Sequence, residues 1–212
     1  VIITIIPAKP FAESKKRLAP VLSHRERVLL SQNLLQHTIV VARSIGPVVV
    51  VSRSATVRNF AAGMGANMLP EKNRDLNDAV CQGINWAQVH GASSVLILPL
   101  DLPLLTTAIL EKLVEPGYQP SPSIVIAPCR HRQGTNALVL TPPNLMAPQF
   151  GSYSFARHRE CAQNAGINPT IYHSPQLAFD LDTPQDWLEL TALGAQEKWP
   201  PEAFPLIQTS KL

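Results

Sequence analysis

Short blocks of β-branched apolar residues alternate along this chain with longer stretches whose apolar positions recur every three or four residues. The first block, Val1-Ile2-Ile3-Thr4-Ile5-Ile6, has no polar face. That suits a strand covered on both sides, as in a parallel sheet. Similar blocks at 48–51, 95–98, 124–126 and 137–140 predict further strands, and shorter ones are expected at 67–69 and 170–172.

The intervening stretches read as helices with recognisable ends. Ser23-His24-Arg25-Glu26 has capping-box spacing, in which Ser23 takes a backbone N–H and Glu26 reaches back. The helix it opens is expected to run to about Ser44, with Leu29, Leu30, Leu34, Leu35 and Val41 on the buried stripe and Gly46-Pro47 closing it. Further helices are predicted over 54–62, 76–89, 107–114 and 155–165. A last helix starts at Thr183-Pro184, with Thr183 as N-cap and Pro184 in the first turn. Strands alternating with helices in this way predict an α/β, three-layer, mostly parallel sheet with helices on both faces. Ligands in such sheets bind beyond the carboxyl ends of the strands.

Length and composition narrow the picture. The 212 residues give one domain over 1–194, followed at 195–212 by a tail where the pattern dissolves around Pro200-Pro201. Hydrophobic residues make up 45% and charged residues 16%, which excludes a disordered chain and a coiled coil. A net charge of +3, without clustered aromatics, argues against nucleic acid and fits a protein taking small anions at one site. No stretch is long enough to span a membrane, and the apolar opening ends at Pro7, too short for an export signal. The cysteines, Cys81, Cys129 and Cys161, are odd in number and widely spaced, as expected of reduced thiols in a cytoplasm.

Candidate chemistry lies just after strands. Lys9, Lys15, Lys16 and Arg17 follow the first one, a concentration of cations suited to a triphosphate where no glycine-rich phosphate loop exists. A solvated basic loop has the same appearance, and spacing does not choose between them. Asp101, in Leu98-Pro99-Leu100-Asp101-Leu102-Pro103, sits at an apolar strand end, where an ionised carboxylate needs a partner: a divalent cation, a helix end or a lysine. Asp180 and Asp182, two apart, point the same way if the segment is extended and suit Mg²⁺, although capping of the last helix is the plainer use. Gln133-Gly134-Thr135-Asn136 and the Phe150 to His158 segment offer neutral donors and a helix N-terminus to an anion, or form an ordinary capped helix. At Asp75-Leu76-Asn77-Asp78, capping by Asp75 competes with a nucleoside contact by Asn77. Cys129 has no evident base to make it a nucleophile.

Taken in order, K-x5-K-x-R-L (Lys9 to Leu18), L-N-D-A (76–79), D-L-P-L-L (101–105), G-T-N-A-L (134–138), F-G-x-x-S-F-x-x-H (150–158) and D-x-D-T-P (180–184) resemble the 2-phospho-L-lactate guanylyltransferase family. The likeness runs from residue 3 to about 192. It implies a Rossmann-like nucleotidyltransferase fold and transfer of GMP from GTP to a phosphorylated three-carbon acid (2-phospho-L-lactate, phosphoenolpyruvate or 3-phosphoglycerate), in making the deazaflavin coenzyme F-420. It further implies Mg²⁺ on Asp101, Asp180 and Asp182. Lys15 and Arg17, with Lys9, would bind the GTP phosphates, with Asn77 near the nucleoside. Thr135, Gly151 and Ser154 would hold the acid. Nucleotidyltransferases acting on molybdopterin or a sugar phosphate, and a non-catalytic nucleotide-binding protein, are the alternatives. A homodimer is compatible with apolar residues in the tail.

Overall fold

The computed structural model describes residues 1–118 and 122–195; the predicted tail lies outside them except for Ala195. Seven strands form one sheet: β1 (Ile2–Pro7), β2 (Val48–Ser52), β3 (Asn67–Pro70), β4 (Ser94–Ile97), β5 (Ser123–Pro128), β6 (Thr135–Thr141) and β7 (Thr170–Ile171). Their order is β3-β2-β1-β4-β6-β5-β7. β6 runs antiparallel to both neighbours, while the other pairs are parallel. β2 lies on one side of β1 and β4 on the other, so the switch point of the sheet opens beyond the carboxyl ends of β1 and β4.

The helices among the described residues are α1 (His24–Arg43), α2 (Ala55–Gly63), α3 (Leu76–Val89), α4 (Thr107–Val114), α5 (Ser154–Asn164), α6 (Pro175–Ala178) and α7 (Pro184–Ala195). The pleat sorts the apolar runs between two layers. Ile2 and Ile6 of β1 join one core with residues of α1, α2, α4 and α6, whereas Ile3 and Ile5 join the other with residues of α3 and α5. This explains why β1 has no polar face. A third, smaller cluster gathers Leu18, Leu22, Leu30, Leu34, Leu181 and Leu190, fastening the loop after β1 to α1 and to the segment that opens α7.

The capping box at Ser23 is formed: Glu26 N–H donates to Ser23 Oγ at 3.3 Å, and Ser23 N–H donates to Glu26 Oε2 at 2.7 Å. Some expectations need correction. Leu29 is 42% exposed and lies off the buried stripe, because the stripe turns through Leu30, Leu34 and Leu35. Val1 is outside β1 and 69% exposed. Helix α4 has the expected bounds, and a 3-10 turn over Glu115–Tyr118 follows it. Helix α6 and two 3-10 turns, Phe11–Glu13 and Lys16–Leu18, had no sequence signal long enough to show periodicity.

Helix α3 approaches the sheet closely at Gly83. A Cβ there would stand 2.5 Å from Ile5 Cγ2 and 3.4 Å from Val51 Cγ2. Gly83→Val is therefore expected to force α3 off the sheet and destabilise the fold by about 2–3 kcal/mol. A denaturant titration checks this, and an unchanged midpoint would contradict the packing.

Candidate active site

Three segments at the carboxyl end of the sheet build the principal site. The first is the loop after β1, where Lys15 adopts a left-handed backbone with φ of +53°. A residue with a side chain rarely takes this conformation, at a cost of about 1–2 kcal/mol. Lys16 and Arg17 are exposed, but the Lys15 side chain is only 5% exposed. Its ammonium donates to the Leu181 carbonyl at 2.6 Å, to Asp182 Oδ1 at 3.1 Å and to Asp101 Oδ2 at 3.3 Å. Burial lowers the Lys15 pKa, but the Asp101 and Asp182 carboxylates outweigh it and hold the pKa above the ordinary lysine value. The group therefore stays charged.

The second segment carries Asp101 just beyond β4, and the third carries Asp180 and Asp182 ahead of α7. The Leu181 N–H donates to the Asp101 carbonyl at 2.9 Å, which binds these two segments together. Asp186, in the first turn of α7, accepts from the N–H groups of Asp182 at 2.9 Å and Thr183 at 2.6 Å and pairs with Arg130. Asp186 was missed by sequence reasoning, although Thr183-Pro184-Gln185-Asp186 has the capping-box spacing that could have found it. Burial and then the neighbouring Asp101 raise the Asp180 carboxyl above its ordinary pKa, Asp182 adding to the rise. A backbone hydrogen bond and one from Asn136 act against it.

These segments face a cleft of about 480 Å³. Lys9, Lys15, Arg17, Asp101 and Asp182 all line it, so five of the predicted residues converge. Arg53, Glu71 and Arg74, from the loops after β2 and β3, also line it and were not anticipated. Arg53 pairs with Glu13 and approaches Glu71 at 3.8 Å. Nothing local distinguishes these residues from ordinary loop charges.

No set of three His, Cys, Asp or Glu side chains among the described residues is arranged as a ready metal cage. The donor chemistry nevertheless fits Mg²⁺. That ion uses one or two carboxylates and takes its remaining ligands from phosphate oxygens and water. Asp101 and Asp182 offer two hard-oxygen donors close enough to share one ammonium.

Asp180, on the same segment as Asp182, does not line the cleft, and Asn77, Thr135, Gly151 and Ser154 belong to a second cluster that does not line it either. Asp75 caps α3, accepting from the N–H groups of Asn77 and Asp78 at 2.8 and 3.1 Å. Asn77 spends both ends of its amide on Phe150: its Nδ2 donates to the carbonyl at 3.2 Å, and its Oδ1 accepts from the N–H at 2.7 Å. It thus clasps the start of α3 to the loop before α5. That loop passes through Gly151, whose φ of +111° lies in the region glycine tolerates. Thr135 N–H donates to Ser154 Oγ at 2.9 Å, and Thr135 Oγ1 lies 2.9 Å from His158 Nδ1. The His158 ring is wholly buried, and its Nε2 accepts from the Gln149 N–H at 2.8 Å. Burial, with nearby Arg157, pushes the His158 pKa down to about 4. Cys129, 8% exposed, takes the Gly134 N–H on its sulfur at 3.2 Å, a contact within the β5–β6 loop.

Residues 2–200 match the family described as guanylyl transferase, CofC like. The phosphoenolpyruvate guanylyltransferase of Sphaerobacter thermophilus is 37% identical over 191 residues, covering 89% of this chain and 91% of the relative. The 3-phospho-D-glycerate guanylyltransferase of Colwellia psychrerythraea is 35% identical over 192 residues, covering 89% and 90%. The 2-phospho-L-lactate guanylyltransferase of Methanosphaera stadtmanae is 31% identical over 198 residues, covering 91% and 85%. Among solved structures, a nucleotidyl transferase of Methanothermobacter superposes with a TM-score of 0.66 at 15% identity, over 92% of this chain and 98% of that one. At that identity the likeness shows the fold.

The buried imidazole makes stability depend on pH. Unfolded, His158 gains a proton near pH 6.5; folded, it resists protonation until about pH 4. Between these values the unfolded chain binds more protons, so stability rises with pH across the window and is lost as pH falls through it. The full effect is roughly 3 kcal/mol. Denaturant midpoints measured from pH 7 to 4.5 should fall more steeply for the wild type than for His158→Gln. Parallel curves would contradict the assignment.

Proposed function

The chain belongs to the family of CofC-like guanylyl transferases, and we propose that it transfers GMP from GTP to a phosphorylated three-carbon acid, releasing pyrophosphate. The observation that carries this reading is the convergence of Lys9, Lys15, Arg17, Asp101 and Asp182 on one cleft at the switch point of the sheet. A triphosphate needs cations on its oxygens, and a metal-bound triphosphate needs hard carboxylates beside them. Both line this cleft.

In the proposed reaction, a phosphate oxygen of the acid forms a bond to the α-phosphorus of GTP while the bond from that phosphorus to the bridging β-oxygen breaks. Pyrophosphate carries away the electron pair. A phosphate dianion is already a nucleophile at neutral pH, so no general base is required. The obstacle is the approach of two anions, and positioning and electrostatics address it. Lys9 and Arg17 hold the phosphates of GTP. Lys15 keeps Asp101 and Asp182 in register and presents fixed positive charge beside the leaving group. Asp101 and Asp182, with Asp180 behind them, would hold Mg²⁺, which when bound would neutralise phosphate charge and polarise the α-phosphoryl group.

Thr135, Gly151 and Ser154 are assigned to the acid, at the start of β6 and of α5. Asn77 clasps the loop at Phe150 on this side, and its assignment near the nucleoside stands as part of the proposal. Phosphoenolpyruvate and 2-phospho-L-lactate are the favoured acids, with 3-phosphoglycerate as the third. The relatives carrying these names support the class as a whole. A product of this kind fits the making of the deazaflavin coenzyme F-420.

The direct test is pyrophosphate release with Mg²⁺ and GTP, each of the three acids being offered in turn and the product checked by mass. Turnover with one acid, and none with ATP in place of GTP, is expected. Silence with all three despite GTP binding would overturn the acceptor class. Asp101→Asn is expected to remain folded yet lose roughly two orders of magnitude in kcat. Wild-type turnover in that variant would remove Asp101 from the metal site.

A further inference from the structure

Hydrogen-bond donors and acceptors around His158 leave only one arrangement of protons. A backbone N–H can only donate, so the Gln149 amide at 2.8 Å requires Nε2 to be an acceptor. A charged ring has a proton on both nitrogens and would set two donors against each other. The ring is therefore neutral, with its single proton on Nδ1. That proton faces Thr135 Oγ1 at 2.9 Å, so the threonine oxygen accepts. The threonine hydroxyl then has its own hydrogen left to give, and no acceptor for it appears among the hydrogen bonds of the described residues. Ser154 repeats the pattern: its Oγ accepts the Thr135 N–H at 2.9 Å and leaves a hydroxyl hydrogen uncommitted.

We propose that His158 is a positioning residue for the acceptor acid: the Gln149 amide locks its tautomer, and its Nδ1–H obliges the Thr135 hydroxyl to donate to the ligand. Such a hydroxyl suits a carboxylate or phosphate oxygen, which can only accept, and disfavours a ligand group that must itself donate. The lock is held from a distance. Phe150 packs its ring edge-on against His158 at 4.8 Å between centroids, and the Phe150 backbone is clasped by Asn77. The N-terminus of α3 thus helps to set the proton direction at the start of β6. Thr135 and Ser154 are 6% and 2% exposed, so water competes poorly for their hydrogens.

This inference rests on the assignment of Thr135 to the acid, and the experiments separate the two. The first readout is spectroscopic. In the full chain labelled with ¹⁵N-histidine, the His158 resonances are identified by their loss in His158→Asn. A protonated Nδ1 and a bare Nε2 are expected from pH 6 to 8. The opposite tautomer, or a charged ring at pH 7, overturns the proposal.

The second readout is kinetic, using the acid that supports pyrophosphate release. His158→Leu removes the donor and is expected to raise KM for the acid about tenfold while KM for GTP stays within about twofold. His158→Asn places an amide donor near the position of Nδ1 and should recover most of that loss. Equal changes in both KM values would mean a merely structural ring and overturn the proposal. If His158→Leu fails to fold, the ring spectrum and the His158→Asn kinetics decide. Thr135→Val distinguishes the premise. If KM for the acid does not rise there, the acceptor-site assignment fails and the inference with it. If it rises there but not in His158→Leu, the inference alone fails.

Discussion

A single buried ammonium ties the active end of this molecule together. Lys15 reaches three acceptors that belong to two different segments, one following β4 and one joining α6 to α7, and its own loop follows β1. Removing a charge from water is costly unless the partners are close and the remaining hydrogen bonds are made. Here Asp101, Asp182 and the Leu181 carbonyl meet that condition, so the position of each segment is conditional on the others. The left-handed backbone at Lys15 is the strain that accompanies this arrangement, and the surrounding apolar cluster of Leu18, Leu30 and Leu181 holds it in place. Arg130 and Asp186 act one layer further back by fixing the backbone that presents Asp182.

The sheet provides the frame for this contact. β1 and β4 lie side by side and feed loops to one end, because the parallel crossovers return each strand in the same direction. Beyond them β6 runs the other way, so its first residue, Thr135, lies at the same end as the last residues of its antiparallel neighbours. An antiparallel strand in a largely parallel sheet thereby brings a residue at a strand start beside residues at strand ends. The proposed acid and nucleotide groups share one rim for that reason. The two clusters differ in chemistry. The Lys15 cluster is ionic and opens on a cleft, whereas the Thr135–His158 cluster is neutral, buried and ordered by the direction of its hydrogen bonds.

Much of this was legible in the chain. Elements with many repeats of a period, such as α1, α3 and β1, were found close to their true bounds, because one-sided or two-sided burial imposes the period directly. Capping residues worked as well: Ser23 and Asp75 take the N–H groups their positions predicted. Short elements were lost. Helix α6 has four residues, too few for a face, and the turn that kinks Lys15 has no glycine to mark it. At the site, Lys9, Lys15, Arg17, Asp101 and Asp182 were named from their places after strands and from the motif likeness, and the cleft collects all five. Asp186 and His158 were passed over as residues with roles, since a helix-turn carboxylate and a motif histidine have many commoner uses.

The sequence by itself determined the layered α/β fold, the strand-end location of the chemistry and the kinds of charge assembled there. These follow from local rules: period, capping and the cost of leaving a carboxylate alone at an apolar strand end. Tertiary structure alone decided which charges meet. Lys15 is 86 residues from Asp101 and 167 from Asp182, and nothing in the chain says that it, unlike Lys16 beside it, turns inward. It also decided the proton on His158. A tautomer depends on whether a donor or an acceptor stands at each ring nitrogen, and here one neighbour comes from the loop before α5 and the other from β6. Interactions at that separation depend on the packed fold, because only packing fixes the distance and direction on which a hydrogen bond depends.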